Sequence, residues 1–373
     1  MQTIFNSKVK ETLYVEKLKN GLTVMIIPKK GIQKKYIIWG THYGSNDNKF
    51  VVPGENEPIE VPKGVAHFLE HKMFEQENGK NSLDVLTSIG VNANAYTTND
   101  HTAYLYECTD NFYEALDEFM DYVQHPYFTD QNVEKEKGII GQEIKMYDDY
   151  PEWRVYLNAL EAMYYKNPVK LDITGTVETI SHIDKDVLYK CYNTFYNPSN
   201  MCLVVSGDFE PEKLLEEIKK RLLDTAQNGE IKRIFEDEPE RIVKQKIEQD
   251  MNVSKPIFTI GIKCKVPNQN EKVRIHIAME IILNMLIGES SNLYKEMYQT
   301  GNIFAMPNLS YEFGDNYAHI LITENANNPE ILFERLREEI ESFKKNGLNE
   351  EDFERTKKMI YGEYVKEYND ATS

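Results

Sequence analysis

The chain of 373 residues, 41% hydrophobic and 28% charged, exceeds the usual size of one core, so two domains are expected. Its 43 Lys and Arg against 61 Asp and Glu give a formal net charge of −18, which disfavours nucleic acid as a partner, because phosphates demand clustered basic residues. Four widely spaced cysteines (Cys108, Cys191, Cys202 and Cys264), with no CxxC pair, read as free thiols of a reducing compartment. The start, MQTIFNSKVKETLYVEKL, lacks the apolar core of a secretory signal, and no later run reaches membrane-spanning length. A cytoplasmic protein with no membrane span is expected.

In chain order, GLTVMIIPKK and KYIIWGTHYGS are β-branched and aromatic runs broken by Gly and Pro, the pattern of neighbouring strands. An acidic loop leads to Pro62-Lys63-Gly64 and then to a helix with Val65, Phe68, Leu69 and Met73 on one side. GVNANAYTTNDHTAYLYECT suits two strands, DNFYEALDEFMDYVQ and QNVEKEKGIIGQEIKMY suit helices, and MCLVVSGDF reads as a buried strand. From about residue 210 to 253 the chain is heavily charged, first at helical spacing and then without an apolar face. Residues 1–228 are expected to form the first domain, 229–252 a charged linker, and 253–373 a second domain. In that last region PIFTIGIKCKV and YAHILITEN read as strands, and VRIHIAMEIILNMLIG and ILFERLREEIESFKK as helices. This element order echoes the first half and suggests a diverged duplication.

The stretch GVAHFLEHKMFE places His67 and His71 one helical turn apart, about 40° from each other around the axis, so that two imidazoles face one ion. Glu70 lies about 60° to the other side of His67, placed to hold a water rather than the metal. A catalytic zinc takes three protein ligands, keeps one open position, and lowers the pKa of its water to roughly 7, so a nearby carboxylate can take the proton. Glu75 lies about 12 Å along the axis from His67, too far to share the ion. Better third ligands are Glu136 and Glu143, seven residues apart and within about 20° of each other on the later helix, whereas Glu134 points away. Gly138 and Gly141 on that helix suit close approach to a neighbour. The bland alternative is that these are surface or half-buried histidines on the polar face of the helix; a structural zinc site, with His101 as its one plausible fourth ligand, is a further option.

These residues resemble the pitrilysin and insulin-degrading enzyme family of zinc peptidases, in the shorter branch typified by the mitochondrial processing peptidase. Similar stretches recur in order: LKNGLTVMIIP, YGSND, HFLEH, NAYTT, EKEKGIIGQEI, ITGTVETI with Gly175, and YNPSNMCLVVSGDFEPE. The resemblance implies an α+β fold of two homologous domains, each an antiparallel-rich sheet with helices on one face, with the metal site in the first only. It implies Zn²⁺ held by His67, His71 and Glu143, with Glu70 as general base and Glu136 in support. Asn94 and Ala95 would pair with an extended peptide substrate by strand addition. In the second half, SSNLYKEMYQTGNIFA resembles a family segment carrying a substrate-facing arginine and tyrosine; Tyr298 and Ala305 stand in their places, leaving Tyr298 and Tyr294 as what this segment offers a substrate. The ending EYVKEYNDATS resembles a penultimate helix, so the second sheet is expected to be incomplete. The branch implies peptide substrates and a homodimer or a heterodimer with a related subunit. A non-catalytic, peptide-presenting or scaffold subunit is the alternative.

Overall fold

The structure, a computed structural model, describes residues 1–227 and 229–372. The chain divides into two compact units, one of residues 1–144, 172–234 and 367–373, the other of residues 145–171 and 235–366.

The first half runs β1 (Gln2–Asn6), β2 (Glu11–Lys17), β3 (Thr23–Pro28), β4 (Lys35–Thr41), β5 (Lys49–Val51), β6 (Pro58–Glu60), α1 (Val65–Lys72), α2 (Ser82–Ser88), β7 (Asn92–Thr97), β8 (Thr102–Cys108), α3 (Phe112–Gln124) and α4 (Asp130–Asp148). It continues with α5 (Pro151–Met163), α6 (Val177–Ser181), α7 (Lys185–Phe195), β9 (Met201–Gly207), α8 (Pro211–Arg221) and β10 (Lys232–Arg233). Seven strands form one sheet in the order β1-β2-β3-β9-β4-β8-β7. Its one parallel pair is β3 with β9, where the apolar runs TVMIIP and MCLVVSG lie side by side at the centre. A small antiparallel sheet, β10-β5-β6, stands beside it in sequence and is separately hydrogen-bonded. One core joins the inward side chains of the strands, such as Trp39, Tyr104 and Val205, to those of the helices, such as Phe119 and Leu188. Helix α4 opens on a reciprocal cap: Asn132 Oδ1 accepts from the N–H of Thr129, and Thr129 Oγ1 accepts from the N–H of Asn132.

The second half contains β11 (Ile257–Lys263), α9 (Lys272–Ile287), α10 (Asn292–Gln299), β12 (Asn308–Phe313), β13 (Ala318–Asn325), α11 (Pro329–Asn346) and α12 (Glu350–Glu367). Its sheet is antiparallel throughout, in the order β11-β13-β12. Phe258, Ile320 and Ile322 of this sheet share a core with Leu283 and Leu286 of α9 and Leu332 and Leu336 of α11.

The division differs from an uninterrupted first domain over 1–228. Residues 145–171 go with the second unit because Leu160, Met163 and Tyr164 of α5 and its C-terminal edge bury against Val169, Tyr317 and Leu321. Nor is 229–252 a plain linker. Lys232 and Arg233 pair with β5, with Arg233 Nε donating to the buried Asp47 at 2.8 Å in the first unit. In the second unit, Glu238 accepts the backbone N–H groups of Tyr165, Lys166 and Asn167 at 2.7–2.9 Å and the Lys263 ammonium at 2.6 Å. Residues 228 and 373, at the expected domain limits, lie outside the described residues.

Candidate metal centre and cleft

Helix α1 is entered through Gly64, at φ +89°, where an added Cβ would lie 2.5 Å from the carbonyl oxygen of Thr174. Gly175, at φ +74°, faces it just as closely, its own Cβ position lying 2.6 Å from the carbonyl oxygen of Lys63. Two backbones therefore touch where the helix begins, a contact that only glycine allows. The polar side of α1 is not solvated: His67, Glu70 and Lys72 are buried along with Val65, Phe68 and Leu69. The helix ends at Lys72, so Glu75 lies beyond it rather than along its face.

Within the first unit, α4 brings Glu143 to the two histidines. His67 Nε2 lies 3.6 Å from one Glu143 oxygen and His71 Nε2 3.5 Å from the other, and the three potential ligand atoms fall within 4.8 Å of one another. Ligands bound at about 2.1 Å around a tetrahedral ion stand roughly 3.4 Å apart, so the spacing fits one zinc. Burial, with His71 adding to it, lowers the pKa of His67 to about 3, which keeps that imidazole neutral as a ligand requires. For His71, burial is opposed and outweighed by the hydrogen bond to Glu136 and by nearby carboxylates, and its pKa is raised. The donor set of two histidines and one glutamate is the kind that leaves a fourth position open. His101 is not a member of this group; its Nδ1 contacts Thr98 Oγ1 at 3.0 Å.

Around the ligands stand three further carboxylates. Glu136 Oε1 accepts from His71 Nδ1 at 3.2 Å, and its Oε2 lies 3.6 Å from the ammonium of Lys72. Burial works to raise its pKa, but the His71 hydrogen bond and the charge of Lys72 win, so Glu136 is held ionised. Lys72, fully buried, donates to Glu75 at 2.5 Å. Glu70 is buried too, which raises its pKa, with the hydrogen bond from Thr97 Oγ1 at 2.6 Å as the foremost opposing influence.

Asn94 and Ala95 lie on β7, the outermost strand on this side of the seven-stranded sheet. Thr98 N–H donates to the carbonyl of His101 at 2.8 Å, closing the turn into β8. Antiparallel alternation from that pair turns the backbone of Asn94 and Tyr96 toward β8, and that of Ala93, Ala95 and Thr97 toward the open side. The Ala95 N–H is covered by the side chain before it, donating to Asn94 Oδ1 at 2.9 Å. Glu70, His71, Glu136, Asn94 and Ala95 line one cleft of about 400 Å³, together with Phe74, Glu75 and Ile139.

Of the residues named from sequence, His67, Glu70, His71, Glu136 and Glu143 converge, and Asn94 and Ala95 line a cleft with Glu70, His71 and Glu136. Tyr298 belongs to the second unit, exposed on α10 and stacked on Tyr294 with ring centres 5.7 Å apart. Gly138 and Gly141 do not serve a close approach: a Cβ added at either would meet nothing within 4 Å. Sequence reasoning missed Thr97 and Lys72. Strand parity could have found Thr97, since it shares a face with Ala93 and Ala95; no spacing signal marks Lys72.

With this geometry in place, the relatives become informative. Residues 56–177 match the model of the insulinase peptidases, family M16, and residues 182–360 match that of the M16 inactive domain. The chain is 42% identical over 372 residues to an uncharacterized zinc protease of Bacillus subtilis, YmfH, a match covering 97% of this chain and 85% of that protein. Among solved structures it superposes on an M16-like peptidase from Alicyclobacillus acidocaldarius with a TM-score of 0.92 and 33% identity, over 97% of this chain and 86% of that one. A protease from Helicobacter pylori shares the fold at a TM-score of 0.78 and 19% identity, over 96% and 86% of the two chains. The Bacillus subtilis relative is named a zinc protease, and the His67, His71 and Glu143 group of this α+β fold could hold a metal ion. The chain belongs to the M16, or insulinase, family of peptidases. Among the described residues no helix is long and apolar enough to cross a membrane.

Proposed function

We propose that the chain is a zinc-dependent endopeptidase acting on extended, unfolded peptides. The observation carrying this reading is that the His67, His71 and Glu143 ligand atoms meet on the helix face that carries Glu70, and that Glu70 and His71 line a cleft together with Asn94 and Ala95 of the edge strand. Zinc held there would supply the positive charge that acidifies a water and polarises a peptide carbonyl. Glu70 takes the proton of the attacking water and hands it to the leaving amine, a shuttle suited to a buried carboxylate with one oxygen unshared. Glu136 keeps the proton of His71 on Nδ1, so that Nε2 presents its lone pair to the metal. The Ala95 backbone, once Asn94 swings aside, hydrogen-bonds the substrate main chain as an added strand. Tyr298 is assigned a substrate contact on the strength of the family resemblance alone.

The second unit is read as a diverged copy of the first without a metal site, and a homodimer or a heterodimer with a related subunit as the working assembly. Free Cys108, Cys191, Cys202 and Cys264 support placing the protein in the cytoplasm. The test is to load the purified protein with zinc, incubate it with unstructured peptides, and map the products by mass spectrometry. Cleavage by the wild type, lost in Glu70→Gln with zinc content kept, is expected; turnover retained by Glu70→Gln removes the role given to Glu70. A wild type that binds peptide but cleaves none would favour a non-catalytic presenting subunit.

A further inference from the structure

Glu70 is tied to the sheet by one hydroxyl. Thr97 Oγ1 lies 2.6 Å from Glu70 Oε2 and 3.3 Å from Thr102 Oγ1, and it has a single proton to give. Thr102, fully buried, spends its own proton on the carbonyl of Tyr43 at 2.9 Å, so it offers Thr97 only a lone pair. Distance and charge both assign the Thr97 proton to the carboxylate. Among the described residues Thr97 is the sole hydrogen-bond partner of the Glu70 side chain. Thr97 closes β7 two residues after Ala95, its side chain on the same face as those of Ala93 and Ala95 and its backbone on the open edge. Two alanines on that face let α1 pack close to the strand, within reach of a short hydroxyl.

We propose that Thr97 is a positioning residue for Glu70: its hydroxyl holds Oε2 against β7 and thereby presents Oε1 to the reacting water. The strand that aligns the substrate backbone then also aligns the base, so the attacking water is referenced to the same rigid element as the carbonyl it attacks. This inference rests on the peptidase reading above. It separates two roles along one strand: Ala95 acts on substrate binding, Thr97 on the chemical step.

The test uses the zinc-loaded full chain with Thr97→Val and Thr97→Ser. Valine keeps the branched shape that suits a strand and removes only the donor. Thr97→Val is expected to bind zinc as the wild type does and to keep KM within twofold. Its kcat should fall roughly 10- to 100-fold, with Thr97→Ser recovering most of the loss. Crystal structures read the same point without turnover: Glu70 Oε2 should leave its place beside residue 97 in the valine variant and return in the serine variant. An unchanged kcat, a loss confined to KM, or a Glu70 carboxylate that stays put in Thr97→Val would overturn the proposal. Should the wild type cleave no peptide, the peptidase reading falls, while the position of Glu70 in the two structures still decides whether Thr97 holds it.

Discussion

Glu136 receives the Nδ1–H of His71 at 3.2 Å while the Nε2 of the same ring faces Glu143 at 3.5 Å, so one helix, α4, grips both nitrogens of one imidazole. The two contacts come from residues seven apart, two helical turns, and Lys72 stands behind the first of them.

Removing this support should loosen the metal. Glu136→Gln can still accept one hydrogen bond, but it loses the charge that draws the proton to Nδ1 and the attraction of Lys72. Zinc affinity, measured by competition with a chromogenic chelator, is expected to fall roughly 10- to 100-fold. Wild-type affinity in this variant would show that the tautomer of His71 is fixed by something else.

The open edge of β7 makes a prediction of a different kind. Ala95→Pro deletes an N–H that does not enter the ladder with β8, so the sheet should tolerate it while peptide pairing does not. One lost hydrogen bond of about 1 kcal/mol corresponds to a KM roughly fivefold higher with kcat preserved. Steady-state kinetics on a peptide cleaved by the wild type reads this directly, and an unchanged KM would argue against strand addition at Ala95.

Acid sensitivity of the second unit should trace to Glu238. Burial alone would raise its pKa, yet the Lys263 ammonium and three backbone N–H groups overcome this and bring it down to about 2. A carboxyl held below its ordinary 4.5 stabilises the fold fully above that pH, and the contribution is lost as the pH falls toward 2. Glu238→Gln is expected to cost about 2 kcal/mol at pH 7 in urea unfolding, with the gap to wild type narrowing below pH 4.5 and closing only as the pH reaches about 2. A gap independent of pH would assign the effect to shape rather than charge.

Much of the site was legible because a helix converts spacing into direction. His67 and His71 at i and i+4 had to share a face, and Glu70 had to flank it. The third ligand was not settled in this way: Glu136 and Glu143 are equivalent by helical angle, and family resemblance chose between them. The structure shows why angle could not, since both residues touch the same imidazole from opposite ends. Strands and helices with apolar periodicity lie where expected, including α9 and β13. The placement of residues 145–171 was hidden because the partners of Leu160 and Met163 include Tyr317 and Leu321, some 150 residues away in the chain, and no local pattern records them. Lys72 was hidden for a related reason: a lysine after a histidine reads as solvated until the carboxylates around it are known.

The Asn94 side chain folded over the N–H of Ala95 has a bearing on how the protein survives at high concentration. A strand kept open for a foreign chain is equally open to the edge of another copy, and exposed edges are where sheets stick together. Here one donor of that edge, the Ala95 N–H, is already taken by the adjacent side chain, a contact worth about one hydrogen bond that any incoming strand has to displace. The same contact therefore opposes edge-to-edge pairing with another copy and the addition of a peptide strand alike.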